Sequence, residues 1–268
     1  MSEEIPDSSQ SKRHVGLFVT CLVDVMRPSI GFAAMQLLEQ ADCIVEIPTT
    51  QTCCGQPAFN SGDDQGAAKI AKQLIEQFEQ FDYVVAPSGS CASMIKVHFP
   101  ELFQDDVTWL TRSRALSSKT YELLSFLVDV CDYKPDSQKL QSKYTYHHSC
   151  SGLRDMKVMT QPKKLLQTID GLEHIELKGS TECCGFGGTF CVKYSDISNQ
   201  IVEEKVENIR QTGANLLLGG DWGCLMNMSG KLNRESVKND TSAGEEIVAL
   251  HTAEVLAGMT DDILSESK

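Results

Sequence analysis

Eight of the eleven cysteines in this 268-residue chain fall into two sets with nearly one spacing. Cys53-Cys54-Gly55 recurs 130 positions later as Cys183-Cys184-Gly185. A single cysteine precedes each pair, Cys21 with 31 residues between and Cys150 with 32; another follows, Cys91 with 36 between and Cys224 with 39. Four thiolates brought to one point are what an iron–sulfur cluster requires. Structural zinc usually takes C-x₂₋₄-C knuckles, which neither set contains. Adjacent cysteines also suit a multi-iron cluster, because neighbouring side chains can bind different irons. A zinc ion or a vicinal redox disulfide stays open as the other reading of the same pairs.

The remaining groups carry weaker signals. Cys43, Cys131 and Cys191 have no repeat partners. Cys43 and Cys131 read as small buried hydrophobes, and Cys191, seven residues after Cys184, is within chain reach of the second set. His147 and His148 flank Cys150, and His98 follows Cys91; each reads first as a hydrogen-bonded structural histidine, with a ligand or proton-relay role as the alternative. Arg154 and Lys193 could balance cluster charge or simply face solvent. Gly185-Phe186-Gly187-Gly188 lacks the full G-x-G-x-x-G of a nucleotide loop, and a close backbone approach to a cluster suits it better.

The elements that must position these thiols repeat with the same period. Short β-rich runs occur at Val15 to Val19, Ile44 to Ile47, Tyr83 to Ala86 and Val107 to Leu110. Their counterparts are Tyr144 to His147, His174 to Leu177, Leu216 to Leu218 and Ile247 to Leu250. Between them lie stripes with apolar residues three and four apart: Ile30, Ala34, Leu37 and Leu38 after Pro28, and Leu165, Leu166 and Ile169 after Pro162. Ile70, Leu74, Ile75 and Phe78 answer to Ile201, Val202, Val206 and Ile209; the closing helices Glu122 to Leu127 and His251 to Leu256 also correspond. Alternating strands and helices predict an α/β fold of two tandem repeats. Each repeat is expected to be a mainly parallel sheet of about four strands flanked by helices, the two related by a pseudo-twofold axis. In such sheets the loops at the strand carboxyl ends converge, so cysteines far apart in sequence are expected to meet. Helices following Cys91 and Cys224 would aim N–H groups at the same edge.

The expected organisation is a tail over residues 1–13, a first domain over 14–131, a polar linker over 132–143, a second domain over 144–258 and a tail over 259–268. A net charge of -13 argues against nucleic-acid binding. The polar N-terminus MSEEIPDSSQSKRH has no apolar signal core, and no stretch suits a membrane span, so a cytoplasmic location is expected. That setting disfavours a disulfide framework and points the cysteines towards metal or redox chemistry.

The segments LFVTCLVDVMRP, QTCCGQPAFNSG, APSGSCASM, CCGFGGTF and GCLMN resemble the lactate utilization protein A family, over about Val15 to Gly258. The same cysteine pattern is shared with the cysteine-rich subunit of heterodisulfide reductase and with the glycolate oxidase iron–sulfur subunit. The resemblance implies an iron–sulfur electron-transfer subunit that oxidises L-lactate to pyruvate only together with flavin-bearing or ferredoxin-like partner subunits. It also implies one cluster, [4Fe–4S] in type, on Cys21, Cys53, Cys54 and Cys91, and another on Cys150, Cys183, Cys184 and Cys224. The heterodisulfide reductase subunit has a fifth cysteine per set; here Ser88 and Asp221 occupy those positions. That departure weighs against direct disulfide cleavage. A thiol–disulfide or heterodisulfide reductase, a glycolate oxidase-type subunit and a non-catalytic metal-binding scaffold stand as alternatives.

Overall fold

The computed structural model describes residues 12–238 and 247–260, with side chains through residue 234 and again from 247. Most of both expected tails, 1–11 and 261–268, lies outside the described residues. The first half runs β1 (Arg13–Leu17), α1 (Cys21–Met26), α2 (Ser29–Gln40), β2 (Cys43–Glu46), α3 (Gln56–Phe59) and α4 (Asp64–Phe78). It continues through β3 (Tyr83–Ala86), α5 (Gly89–Ser93), α6 (Phe99–Leu102), α7 (Val107–Ser118), β4 (Thr120–Glu122) and α8 (Leu123–Ser125). The second half runs β5 (Gln138–His147), α9 (Cys150–Arg154), α10 (Gln161–Leu166), β6 (Ile169–His174) and α11 (Phe190–Lys193). It ends with α12 (Ser195–Gln211), β7 (Leu216–Gly219), α13 (Trp222–Lys238), β8 (Val248–His251) and α14 (Thr252–Leu256). Wide π-type turns at Met94–His98 and Phe126–Val130 extend α5 and α8.

Two four-stranded sheets have one topology, β2-β1-β3-β4 and β6-β5-β7-β8, and every pairing is parallel. The halves are two copies of one α/β unit, as the repeated hydrophobic pattern implies. Strand β7 is buried along its whole length, through Leu216, Leu217, Leu218 and Gly219, which is why it reads as a continuous apolar run. The stripe on α4 (Ala67, Ala71, Leu74, Ile75, Phe78) packs on the outer face of the first sheet. Its counterpart on α12 covers the second. The inner faces are joined: Leu17 and Val85 share a core with Leu37, Leu166, Leu216 and Leu256. One hydrophobic layer therefore binds the repeats together.

Three expectations about elements need correction. Val107 to Leu110 is the first turn of α7, because Asp106 accepts the Trp109 N–H as an N-cap and Ser113 and Leu116 continue the buried face. The strand itself is the three-residue β4, too short to show a period. In the second half β6 begins at Ile169 and ends at His174, earlier than the run at His174 to Leu177 suggests. Ile169 pairs with Gln138, so it belongs to the sheet and not to the preceding helical stripe. That pairing also means β5 starts inside the polar segment 132–143. Residues 138–143 alternate half-buried and exposed along an edge that carries a register shift between Lys139 and Ser142.

Candidate metal centre

The sulfurs converge at the carboxyl ends of the strands. Cys21 opens α1, Cys53 and Cys54 occupy the loop after β2, and Cys91 lies in the first turn of α5. Cys150 opens α9, Cys183 and Cys184 follow β6, and Cys224 lies in the first turn of α13. Cys91 and Cys224 thus sit inside their helices and not ahead of them. Ser88 supplies the reason for the first, capping α5 by accepting the Cys91 N–H at 3.3 Å.

In the first set Cys54 donates to the Cys91 sulfur at 3.4 Å, and Cys53 contacts both Cys21 and Cys54. In the second, Cys183 contacts Cys150 and Cys184, and Cys184 contacts Cys224. Each loop closes on a glycine whose N–H donates to the first sulfur of the pair, Gly55 to Cys53 and Gly185 to Cys183, both at 3.4 Å. These glycines have φ of 85° and 83°, where a side chain is strained. Cys54, Cys91, Cys184 and Cys224 are buried, whereas Cys21 and Cys183 reach the surface.

Such crowding cannot accommodate four thiolates without a cation. The Cys53 thiol and burial push Cys21 far above the ordinary thiol range, while contacts with Cys21 and Cys54 hold Cys53 far below it. Cys54 is pushed up by Cys53, Cys91 and burial, and Cys150 by Cys183 and burial. In Cys184 the pull of Cys183 is downward, but Cys224 and burial carry the thiol up. Cys224 also rises: donation from Cys184 lowers it, but burial and Asp221 outweigh that pull. Most of these sulfurs resist ionisation while they crowd one another, and bound iron would release their protons.

The donor set fits an iron–sulfur cluster on a second observation. His147, 1% exposed, has both ring nitrogens without a hydrogen-bond partner. A ring nitrogen lies within 4.8 Å of the Cys184 and Cys224 sulfurs. Burial drives its pKa down to about 3, so the ring is neutral. In the first set the corresponding residue, three before Cys21, is the fully buried Phe18. Lys205, another buried residue, gave no signal in the sequence except as a cation within the apolar stripe of α12. Its ammonium donates to the Gly179 carbonyl, in the loop leading to Cys183; burial lowers its pKa, while Glu182 and the charges of Cys184, Cys183 and Cys224 pull it back up. The first-repeat equivalent is Leu74, by the register in which Gly55 meets Ile70 and Gly185 meets Ile201.

Ser88 and Asp221 face one another and not the sulfurs. The Ser88 hydroxyl donates to the Asp221 carboxylate at 3.0 Å, and the Ser90 N–H donates to the same oxygen at 2.9 Å. The positions that carry a fifth cysteine in the heterodisulfide reductase pattern are therefore a bond between repeats. Of the other candidates, His148 packs edge-on against Tyr146 in a groove and His98 pairs with Glu101 at 2.7 Å. Cys191 donates to the Gly188 carbonyl at 3.1 Å, while Arg154 ends α9 and Lys193 is exposed on α11. Cys43 and Cys131 are not separate small hydrophobes: their thiols contact each other, which raises Cys43 and lowers Cys131.

Residues 15–96 and 144–229 each match the family model for a cysteine-rich domain named after its Cys-Cys-Gly motif. Over 242 residues the chain is 47% identical to lactate utilization protein A of Geobacillus sp. (strain WCH70), covering 90% of this chain and 98% of that one. It is 46% identical over 242 residues to lactate utilization protein A of Bacillus subtilis (strain 168), with the same coverage. The chain belongs to the lactate utilization protein A family. Among solved structures, a hypothetical protein from Helicobacter pylori superposes with a TM-score of 0.63 at 9% identity over 93% of this chain. The chain spans about half, 49%, of that protein, and the likeness concerns the fold alone.

In this member of the lactate utilization protein A family, one groove adjoins the first sulfur set and another lies between β5, β6 and α10 of the second repeat. The groove at the first set, about 410 Å³, is lined by Val19, Cys21, Phe32, Ile47 and Cys53. The groove in the second repeat, about 340 Å³, is lined by Tyr146, His148, Lys163, Lys164 and His174 and by none of the four cysteines. Among the described residues, no helix is long and apolar enough to cross a membrane.

Proposed function

We propose that this chain is the iron–sulfur electron-transfer subunit of a multi-subunit system that oxidises L-lactate to pyruvate. The observation supporting this reading is the convergence of two four-sulfur sets at the carboxyl ends of matched sheets, in a chain of the lactate utilization protein A family. Cys21, Cys53, Cys54 and Cys91 would hold one [4Fe–4S] cluster, and Cys150, Cys183, Cys184 and Cys224 the other. When bound, each cluster supplies one-electron redox chemistry. Oxidation of lactate to pyruvate releases two electrons and two protons, so two one-electron sites match the demand. Cys54, Cys91, Cys184 and Cys224 shield the inner side of each site from water, and the surface-facing Cys21 and Cys183 give electrons a short exit. Removing hydrogen from lactate falls to partner subunits, flavin-bearing or ferredoxin-like.

Anaerobic purification with iron and sulfide analysis tests the cofactor, with about eight of each per chain expected for two four-iron clusters. EPR of the dithionite-reduced protein should show both. Adding lactate should reduce the clusters only when partner subunits are present. A colourless, folded zinc protein would sink the reading.

A further inference from the structure

We propose that the two cluster sites are redox-inequivalent, that the one held by Cys150, Cys183, Cys184 and Cys224 has the higher reduction potential, and that electrons arriving at the first site pass to the second. The inference rests on the iron–sulfur reading above and concerns the residues that surround the sulfurs, Phe18 and Leu74 at one site and His147 and Lys205 at the other.

The topology holds the two sites in one mould: the same strand order, the same helix-opening cysteines and the same glycine N–H on the first sulfur of each pair. The backbone that holds the sulfurs is therefore matched. What differs lies immediately behind it. Phe18 and Leu74 belong to the apolar core that also contains Cys54 and Cys91, and they offer neither charge nor a hydrogen-bond donor. At the second site His147 brings a buried ring whose nitrogens have no other partner, one of them within 4.8 Å of two sulfurs and open to donate an N–H to a cluster there. Lys205 brings an ammonium, 2% exposed, anchored to the Gly179 carbonyl.

Reduction adds one negative charge to a cluster. A fixed cation and an N–H close to the sulfurs stabilise that charge, more so where water is excluded, whereas hydrocarbon does not. Hydrogen bonding and local charge around the sulfurs are the levers by which a protein sets such potentials. Asp221 is the opposing charge, acting on Cys224. Its carboxylate accepts from the Ser88 hydroxyl, the Ser90 N–H and the Gly223 N–H, and these donors offset part of its charge. The transfer is a one-electron exchange in which the first cluster is oxidised, the second is reduced and no bond or proton moves.

EPR-monitored redox titration of the full, cluster-loaded chain tests this, with Cys54→Ser and Cys184→Ser variants assigning each signal to its site. The wild type should titrate in two steps, with the Cys184-dependent signal appearing first on reduction and at least a ten-fold preference for the second site, about 59 mV for one electron. His147→Phe combined with Lys205→Leu installs the first site's surroundings and should bring the two potentials together. His147→Gln keeps an N–H donor and should retain most of the His147 contribution. The reciprocal Phe18→His should raise the first site, which keeps the proposal testable if the double variant loads iron poorly. A single step in a wild type loaded at both sites, or a Cys184-dependent potential unmoved by His147→Phe and by Lys205→Leu, overturns the inference while leaving the cluster assignment intact. A protein that holds no iron or sulfide overturns both.

Discussion

Around Cys54 and Cys91 the chain places Phe18 and Leu74; around Cys184 and Cys224 it places His147 and Lys205. The two repeats thus share what gathers cysteines and differ in what polarises them. The gathering of the sulfurs depends on strand order and on glycine turns, which both halves retain. The electrostatics depend on side chains one layer back, and there the halves are unlike.

The largest test of this comparison is ligand removal. Cys54→Ser and Cys184→Ser should each lose about half of the bound iron and sulfide, with far-UV circular dichroism nearly unchanged because the sheets do not depend on these sulfurs. Loss of all iron from either variant would show that the sites load as a unit.

The residues that close the two sheets offer a second test. Glu122 ends β4 and accepts the N–H groups of Leu124 and Ser125; at the corresponding end of β8, His251 accepts the Ala253 N–H. Burial raises Glu122 from 4.5 to about 8. The folded carboxyl keeps a proton that the unfolded chain releases, so stability should fall as pH rises from about 4.5 to 8, by at most about 5 kcal/mol. Burial lowers His251 below 6.5, so its contribution runs the other way and is lost as pH drops below that value. Urea denaturation across pH should flatten on the alkaline side for Glu122→Gln and on the acid side for His251→Asn.

Joining the repeats is worth less. Asp221→Ala leaves the Ser88 hydroxyl and the Ser90 N–H without their shared acceptor and should cost about 1–3 kcal/mol in denaturant unfolding. Asp221→Asn, which keeps an acceptor, should cost less. The smallest difference separates the two turn glycines. Alanine at either position meets a left-handed φ, costing about 1–2 kcal/mol. At Gly185 a Cβ would also lie 2.8 Å from the Ser198 carbonyl oxygen, whereas at Gly55 it would lie 3.4 Å from Ile70. Gly185→Ala should therefore lower the unfolding midpoint more than Gly55→Ala.

Much of this molecule is legible in one dimension. The doubled Cys-Cys-Gly spacing and the two sets of apolar stripes imply two parallel α/β units with cysteines at strand ends, because period and spacing are local properties of the chain. The misplaced elements are those whose identity is not local. Thr120 to Glu122 is a strand only because Val84, Val85 and Ala86 lie alongside it. Gln138 to Lys143 reads as a linker until β6 pairs with it. Cys43 and Cys131 look unpaired in sequence, yet their thiols meet.

The same division applies to the site. Sequence alone grouped eight cysteines into two sets of four, since their spacing repeats with the fold's own period. The tertiary structure decided that Ser88 and Asp221 bond to each other, that His147 lies beside two sulfurs and that Lys205 on α12 anchors to Gly179 in the loop leading to Cys183. Those are contacts between residues far apart in the chain, set by how strands and helices stack. Burial then gives each contact its strength, by removing the water that would otherwise screen it.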